Sequence, residues 1–352
     1  MDVLSTLNSP LGFNLLCSEE SEACRNVDPE YLGMKLDLIE AYKGMEALEV
    51  EFNKALNAYN FLKTHKVDKS FGMYICDTFG LESITGLPRE LHYTGDATVC
   101  TEICLEGLGS FLVETVKKIV QFFINLFNTI MRFFGIKSNR QKATEYNFQK
   151  IERRLHELDD IEFSAAIKQD IKCSVETMRI EQLKEITTDL VTMYELINNH
   201  KDTTDIKALV SGTSGILSKL GYKVQDEYKI VFATGLPYKV YNANTALNIA
   251  NELGIKRKDD VYSTIQGVKK IIGLSVDLQR RYPANLKKYA NRASSIKIDP
   301  NDPESQKLHL ESIKQLNEEQ KCQAYLCKMI VLFLELSDLL CARSVSTLKS
   351  LM

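Results

Sequence analysis

The chain has 352 residues, 44% hydrophobic and 26% charged, with seven prolines and no tryptophan. These proportions exclude wholesale disorder, and so few prolines over such a length favour long helices over a loop-rich β fold. The net charge of −3 hides an asymmetry: residues 1–106 carry 18 acidic against 8 basic side chains, and the remainder is +7. An acidic head can shield a basic body, or both can be ordinary solvated surface.

Residues 1–28 are irregular and acidic, with Ser18-Glu19-Glu20-Ser21-Glu22 as the densest run. The N-terminus lacks the basic start of a secretory signal. Asp28 and Pro29 suit an N-cap and a first helical position. Leu38, Tyr42, Met45, Leu48, Phe52, Ala55 and Tyr59 then recur every three or four residues, which predicts a helix to about His65. Residues 66–96 read as a linker, with Phe71–Cys76 a short strand and Gly80, Gly86 and Pro88 as breakers.

Helical spacing returns at Ala97 and enters a Phe-rich segment that ends at Gly135. Helices are expected over Lys142–Leu158 and Phe163–Asn199, the second with Ile167, Ile171, Val175, Met178, Leu183, Ile186, Leu190, Met193 and Leu196 as its stripe. A helix over Thr204–Leu220 follows. Tyr228–Ala233 and Tyr238–Tyr241 flank Gly235-Leu236-Pro237 as a hairpin. Asn242–Leu253, Val261–Arg281 and Asn285–Ala293 are expected helical. Asp299–Pro303 breaks the chain before a last long helix, where Glu335 and Asp338 argue against a membrane span.

The expected fold is mainly α: an elongated multi-helix bundle with a small β-hairpin insertion near 228–241. Four segments are expected. They are an acidic N-terminal stretch, 1–106, as a candidate propeptide; the Phe-rich helix with its basic tail, 107–142; a helical body, 143–298; and a C-terminal helix, 299–352.

Little in the chain promises catalysis. The nine cysteines show no metal-ligand spacing and read as reduced core residues of a protein made in the cytoplasm. His65, His92, His156, His200 and His309 are isolated. Gly107-Leu108-Gly109 lacks the strand and third glycine of a dinucleotide site, and Ser211–Gly215 lacks the Lys of a phosphate loop. We expect no enzyme activity, no cofactor, no metal and no small-molecule substrate. A basic neighbourhood, Ile255–Lys258, Lys269-Lys270 and Arg280-Arg281 with Tyr282 and Tyr289 for stacking, is a weaker nucleic-acid candidate or a set of solvated helix faces.

The Phe-rich segment carries the chemistry. Between Phe111 and Phe134 the polar residues Glu114, Lys117, Lys118, Gln121, Asn125, Asn128 and Arg132 fall on one narrow helical stripe. Phe111, Phe122, Phe123, Phe127, Phe133 and Phe134 lie in a far wider apolar arc than an ordinary surface helix shows. Such a face needs a cover: the chain's own core, another subunit or lipid. The cationic stripe and the basic tail Lys137, Arg140 and Lys142 are the pattern of a helix lying on an anionic membrane. A central helix of a bundle, with one edge in water, has the same pattern. The candidate membrane- or partner-binding residues are the six phenylalanines with Lys117, Lys118 and Arg132.

The run Leu105-Glu106-Gly107-Leu108-Gly109-Ser110-Phe111-Leu112, followed by Lys-Ile-Val, Phe-Phe and Phe-Phe-Gly, resembles a feature of internal virion proteins of large tailed bacteriophages. The likeness covers about 40 residues. It implies a non-enzymatic structural protein made in the host cytoplasm, packaged inside the capsid and ejected with the DNA. Its implied partners are other virion proteins or itself, an anionic membrane, and packaged DNA bound non-specifically. It also implies proteolytic maturation after a small-x-Glu site, here Cys104-Leu105-Glu106 with the cut before Gly107. Cys104 departs from the usual small residue. A membrane-active or pore-forming effector outside any virion is the alternative.

Overall fold

A computed structural model describes residues 47, 50–81, 95–172, 176–225, 229–232, 238, 240–295, 303–349 and 351. The expected cap at Asp28 and Pro29, and Cys17, Cys24, Cys173 and His92, lie outside the described residues. The fold is mainly α with short antiparallel strands. The helices are α1 (50–64), α2 (Lys69–Phe79), α3 (Ala97–Glu157), α4 (Asp160–Ala166), α5 (Ile180–Asn199), α6 (Ile206–Lys219), α7 (Lys258–Ser294) and α8 (Pro303–Lys349). The strands are β1 (Asp170–Lys172), β2 (Thr177–Met178), β3 (Tyr222–Gln225), β4 (Lys229–Phe232), β5 (Val240–Tyr241) and β6 (Ala246–Asn248).

Two compact units divide the chain: Ile130–Pro283 with Lys321–Met352, and Met34–Thr129 with Ala284–Gln320. In the second unit, α1 buries Phe52, Ala55 and Tyr59 of the expected stripe, together with Leu56 and Leu62, against α2 and the start of α3, while Leu38, Tyr42, Met45 and Leu48 lie outside the described residues. The segment expected as a strand at Phe71–Cys76 is helix α2. Asp68 caps its start by accepting from the Phe71 amide at 2.9 Å, and Gly80, at φ +59°, closes its end in the left-handed conformation. Its buried residues Gly72, Ile75 and Cys76 follow a helical, not an alternating, spacing.

In the first unit, the helix expected over Phe163–Asn199 is broken. A capping box between Asp159 and Glu162 starts α4, which stops at Ile167. The chain then forms β1 and β2 before α5 begins. β1 pairs with β6 and β2 with β5, so partners roughly 70 residues away override the local helical spacing. The same pairing converts the expected helix at Asn242–Leu253 into β6 and turns, one of them with Asn244 at φ +67°. The small hairpin is present, but β4 pairs backward with β3, and β5 goes to β2.

Two expected breaks vanish. Helix α3 is 61 residues long and passes Gly107 and Gly135 without interruption. Helix α7 contains Pro283, so the helices expected on its two sides are one. Pro283 is buried, and the helix continues through it despite the lost backbone bond. Helix α8 has no exposed residue from Leu316 to Cys341, although this stretch includes Asn317, Glu319, Gln320 and Gln323, polar side chains that are buried with its apolar ones.

Candidate functional site

Helix α3 turns its phenylalanines inward. Phe111, Phe122, Phe123 and Phe134 are buried with Leu108, Leu112, Val116, Ile119, Leu126 and Ile130, and Phe127 is half-buried. The Phe133 side chain lies outside the described residues. Phe123 is fully enclosed and stacks on Tyr289 of α7, centroids 5.9 Å apart, while Phe111 meets the edge of Phe79 from α2 at 5.6 Å. Thr115 and Thr129 sit on this arc because each hydroxyl donates back to a carbonyl one turn earlier, at 3.0 Å to Phe111 and 2.9 Å to Asn125.

The opposite edge is wet and polar. Lys117, Lys118, Gln121, Asn125, Asn128 and Arg132 are exposed. Lys117 pairs with Glu114 at 3.1 Å, and the Gln121 amide donates to Asn125 at 2.8 Å. Lys118 reaches Glu51 on α1 at 4.0 Å and lies 5.9 Å from the Phe111 ring centre. These exposed pairs contribute at most about 1 kcal/mol each. Ile124 and Met131, 40% and 41% exposed, are the larger apolar groups left in water on this stretch.

The residues before Gly107 are part of the cover. Phe52, Leu56, Tyr59, Leu62, Ile75 and Leu81 share one core cluster with Cys100, Ile103, Cys104, Leu108, Phe111, Leu112 and Val116. Leu105 is half-buried and Glu106 exposed, while Cys104 and Gly107 are buried. All four lie inside helix α3. A protease takes an extended, accessible strand, so this junction is closed to cleavage while the helix is formed.

Elsewhere the sequence candidates separate. Tyr282 and Tyr289, both 4% exposed, are core residues; the Tyr282 hydroxyl donates to the Gln323 carbonyl at 3.0 Å. Neither ring can stack a base, although Lys256, Arg257, Lys270, Arg280 and Arg281 remain exposed. Among the described residues no group of His, Cys, Asp and Glu converges as a metal site, and no helix is long and apolar enough to cross a membrane. His200 places Nδ1 2.9 Å from the Leu196 carbonyl, and His65 stacks on Phe61.

Sequence reasoning missed a buried acid. Glu319 on α8 is fully enclosed, with Arg292 of α7 donating to Oε1 at 2.5 Å and Oε2 left without a hydrogen-bond partner. Burial pushes its carboxyl above the ordinary glutamate value, and Arg292 and Lys288 only partly offset it. In sequence it is one glutamate of a Glu-Glu-Gln run on a helix, with no local mark of burial.

No protein family, curated protein or solved structure matches the chain.

Proposed function

We propose that this chain is a non-enzymatic structural protein of the internal virion type, packaged in a phage head, in which the Phe-rich stretch of α3 is a structural beam rather than an open membrane-binding face. The virion placement rests on the resemblance around Leu105–Leu112 and the Phe-rich run after it. The beam reading rests on one observation: the phenylalanine arc is enclosed by the chain's own α1, α2 and α7 residues and leaves a narrow polar edge in water. Its partners are other virion proteins or a second copy, met through that polar edge, with packaged DNA bound non-specifically by exposed lysines and arginines.

Proteolytic maturation before Gly107 fits this reading only if the cut precedes folding. Loss of residues 1–106 would remove the cover from Leu108, Phe111, Leu112 and Val116. Exposing a Phe side chain of that kind costs about 1.5–3 kcal/mol, so the shortened chain would need lipid or protein in its place. Contact with an anionic membrane therefore belongs to the uncovered form.

Mass spectrometry of purified particles tests the proposal. Peptides spanning Glu106–Gly107 are expected in the particle. Peptides starting at Gly107, with none from earlier, would mean that the cut comes before folding and that the beam is uncovered. Absence of the chain from the particle overturns the virion placement. Leakage of anionic vesicles by the intact folded protein overturns the beam reading.

A further inference from the structure

Cys76, Cys100 and Cys104 are buried in one core cluster of the second unit, and none is in a disulfide. Cys100 and Cys104 stand one turn apart on α3, and Cys76 comes from α2. The Cys104 thiol lies 3.7 Å from the Gly72 carbonyl, which sits one helical turn before Cys76. Cys76 is buried in the same cluster, on the turn of α2 that this carbonyl leads into. The Cys104 thiol therefore lies against α2 beside Cys76, the placement from which a covalent bond between two helices can form. Cys322, Cys327 and Cys341 differ: all three lie on α8, and Cys327 contacts the Tyr282 hydroxyl at 3.0 Å instead.

We propose that Cys76 and Cys104 form an oxidisable thiol pair, a modification site at which a small-molecule disulfide ties α2 to α3. In the first step one protein thiolate attacks a sulfur of the oxidant. A mixed disulfide forms, and the oxidant's S–S bond breaks to release one thiolate. The second protein thiolate then attacks the protein-bound sulfur, forms the Cys76–Cys104 bond and releases the other thiolate. The pair loses two protons and two electrons, and the oxidant becomes two thiols.

Cys100 lies a turn from Cys104 on the same helix and does not span the two elements. The neighbouring Cys76, then burial, pushes the Cys104 thiol well above its ordinary value. The reaction therefore waits on a brief opening of the contact between α2 and α3. The bond closes a loop that includes residues 82–94, so it restricts the unfolded chain and raises thermal stability. This site stands independently of the virion reading.

Oxidised glutathione added to the folded full chain, followed by thiol blocking and unreduced peptide mapping, tests it. A cross-linked peptide containing Cys76 and Cys104 is expected, with a rise in Tm that dithiothreitol reverses. The link should be lost in Cys76→Ser and kept in Cys100→Ser, whose helical content, read by circular dichroism, reports that the fold is intact. Glutathione adducts in place of a link, a Cys100–Cys104 link, or equal reaction at Cys322, Cys327 and Cys341 overturns the proposal.

Discussion

Gly254 shows how one residue can carry a backbone constraint invisible to its neighbours. Its φ of +75° lies in the left-handed region, and a Cβ there would come within 2.7 Å of both Glu181 carboxylate oxygens. That carboxylate is the far end of a flexible, exposed side chain and can swing aside, so the backbone term decides. Gly254→Ala should lower stability by about 1–2 kcal/mol in urea denaturation, and Gly254→Asn by less, because Asn tolerates this conformation. Equal losses for both would put the cost in the Glu181 contact instead.

The buried acid Glu319 makes a pH prediction with a definite sign. Its folded-state carboxyl is raised, so the folded chain holds that proton more tightly than the unfolded chain does. Ionised Glu319 therefore costs stability at neutral pH, and the cost disappears as pH falls through its folded value. Glu319→Gln should be more stable relative to the parent at neutral pH than under mildly acidic conditions. Asp260 works the other way. Partial burial tends to raise it, but the Lys256 and Arg257 amides and Lys184 outweigh burial and hold it below the carboxylate range. Its stabilisation is full above the ordinary aspartate value and is lost as pH falls through the folded one. Denaturation midpoints of Glu319→Gln, Asp260→Asn and the parent across acid pH measure both slopes.

Helix α3 divides its residues by face, and substitution along it should expose that division. Phe123 is fully enclosed against Tyr289, so Phe123→Ala should cost about 3–5 kcal/mol. Asn128→Ala, on the wet edge, should stay within about 0.5 kcal/mol. A small loss at Phe123 in the isolated chain would show that the arc is covered by something other than this core. The wide arc and narrow polar stripe were legible in the sequence, because 3.6-residue periodicity sorts side chains by face regardless of what lies opposite. What lay opposite was not legible: the covering residues come from α1, α2 and α7, and α7 follows well over a hundred residues later.

Helix boundaries were legible where a cap marked them and misleading where tertiary contacts overrode spacing. Asp205 accepts from the Lys207 and Ala208 amides at the start of α6, near the expected start at Thr204. At Phe71–Cys76 a β-rich composition hid a helix that Asp68 and Gly80 delimit. Between Ile167 and Met178 helical spacing concealed two strands, because their pairing partners lie at 240–248.

Across the chain, the candidate cleavage junction ties processing to folding. Residues Cys104–Gly107 are helical, and the segments on both sides of them share one core. Limited proteolysis of the folded protein should leave Glu106–Gly107 uncut under conditions that cut after partial denaturation. Rapid cutting there in the native state would mean that this part of α3 opens readily.

Composition and periodicity were enough to establish a mainly helical chain, an acidic stretch ahead of a basic one, and a helix too apolar to stand bare in water. These are local properties, set by the chemistry of neighbours within a few turns. Only the tertiary structure decided that the phenylalanine arc is closed by the chain's own helices, that the expected breaks at Gly135 and Pro283 are absent, and that two cysteines from different helices share one buried cluster. Each of these depends on contacts between residues far apart in the chain, and local spacing carries no record of them.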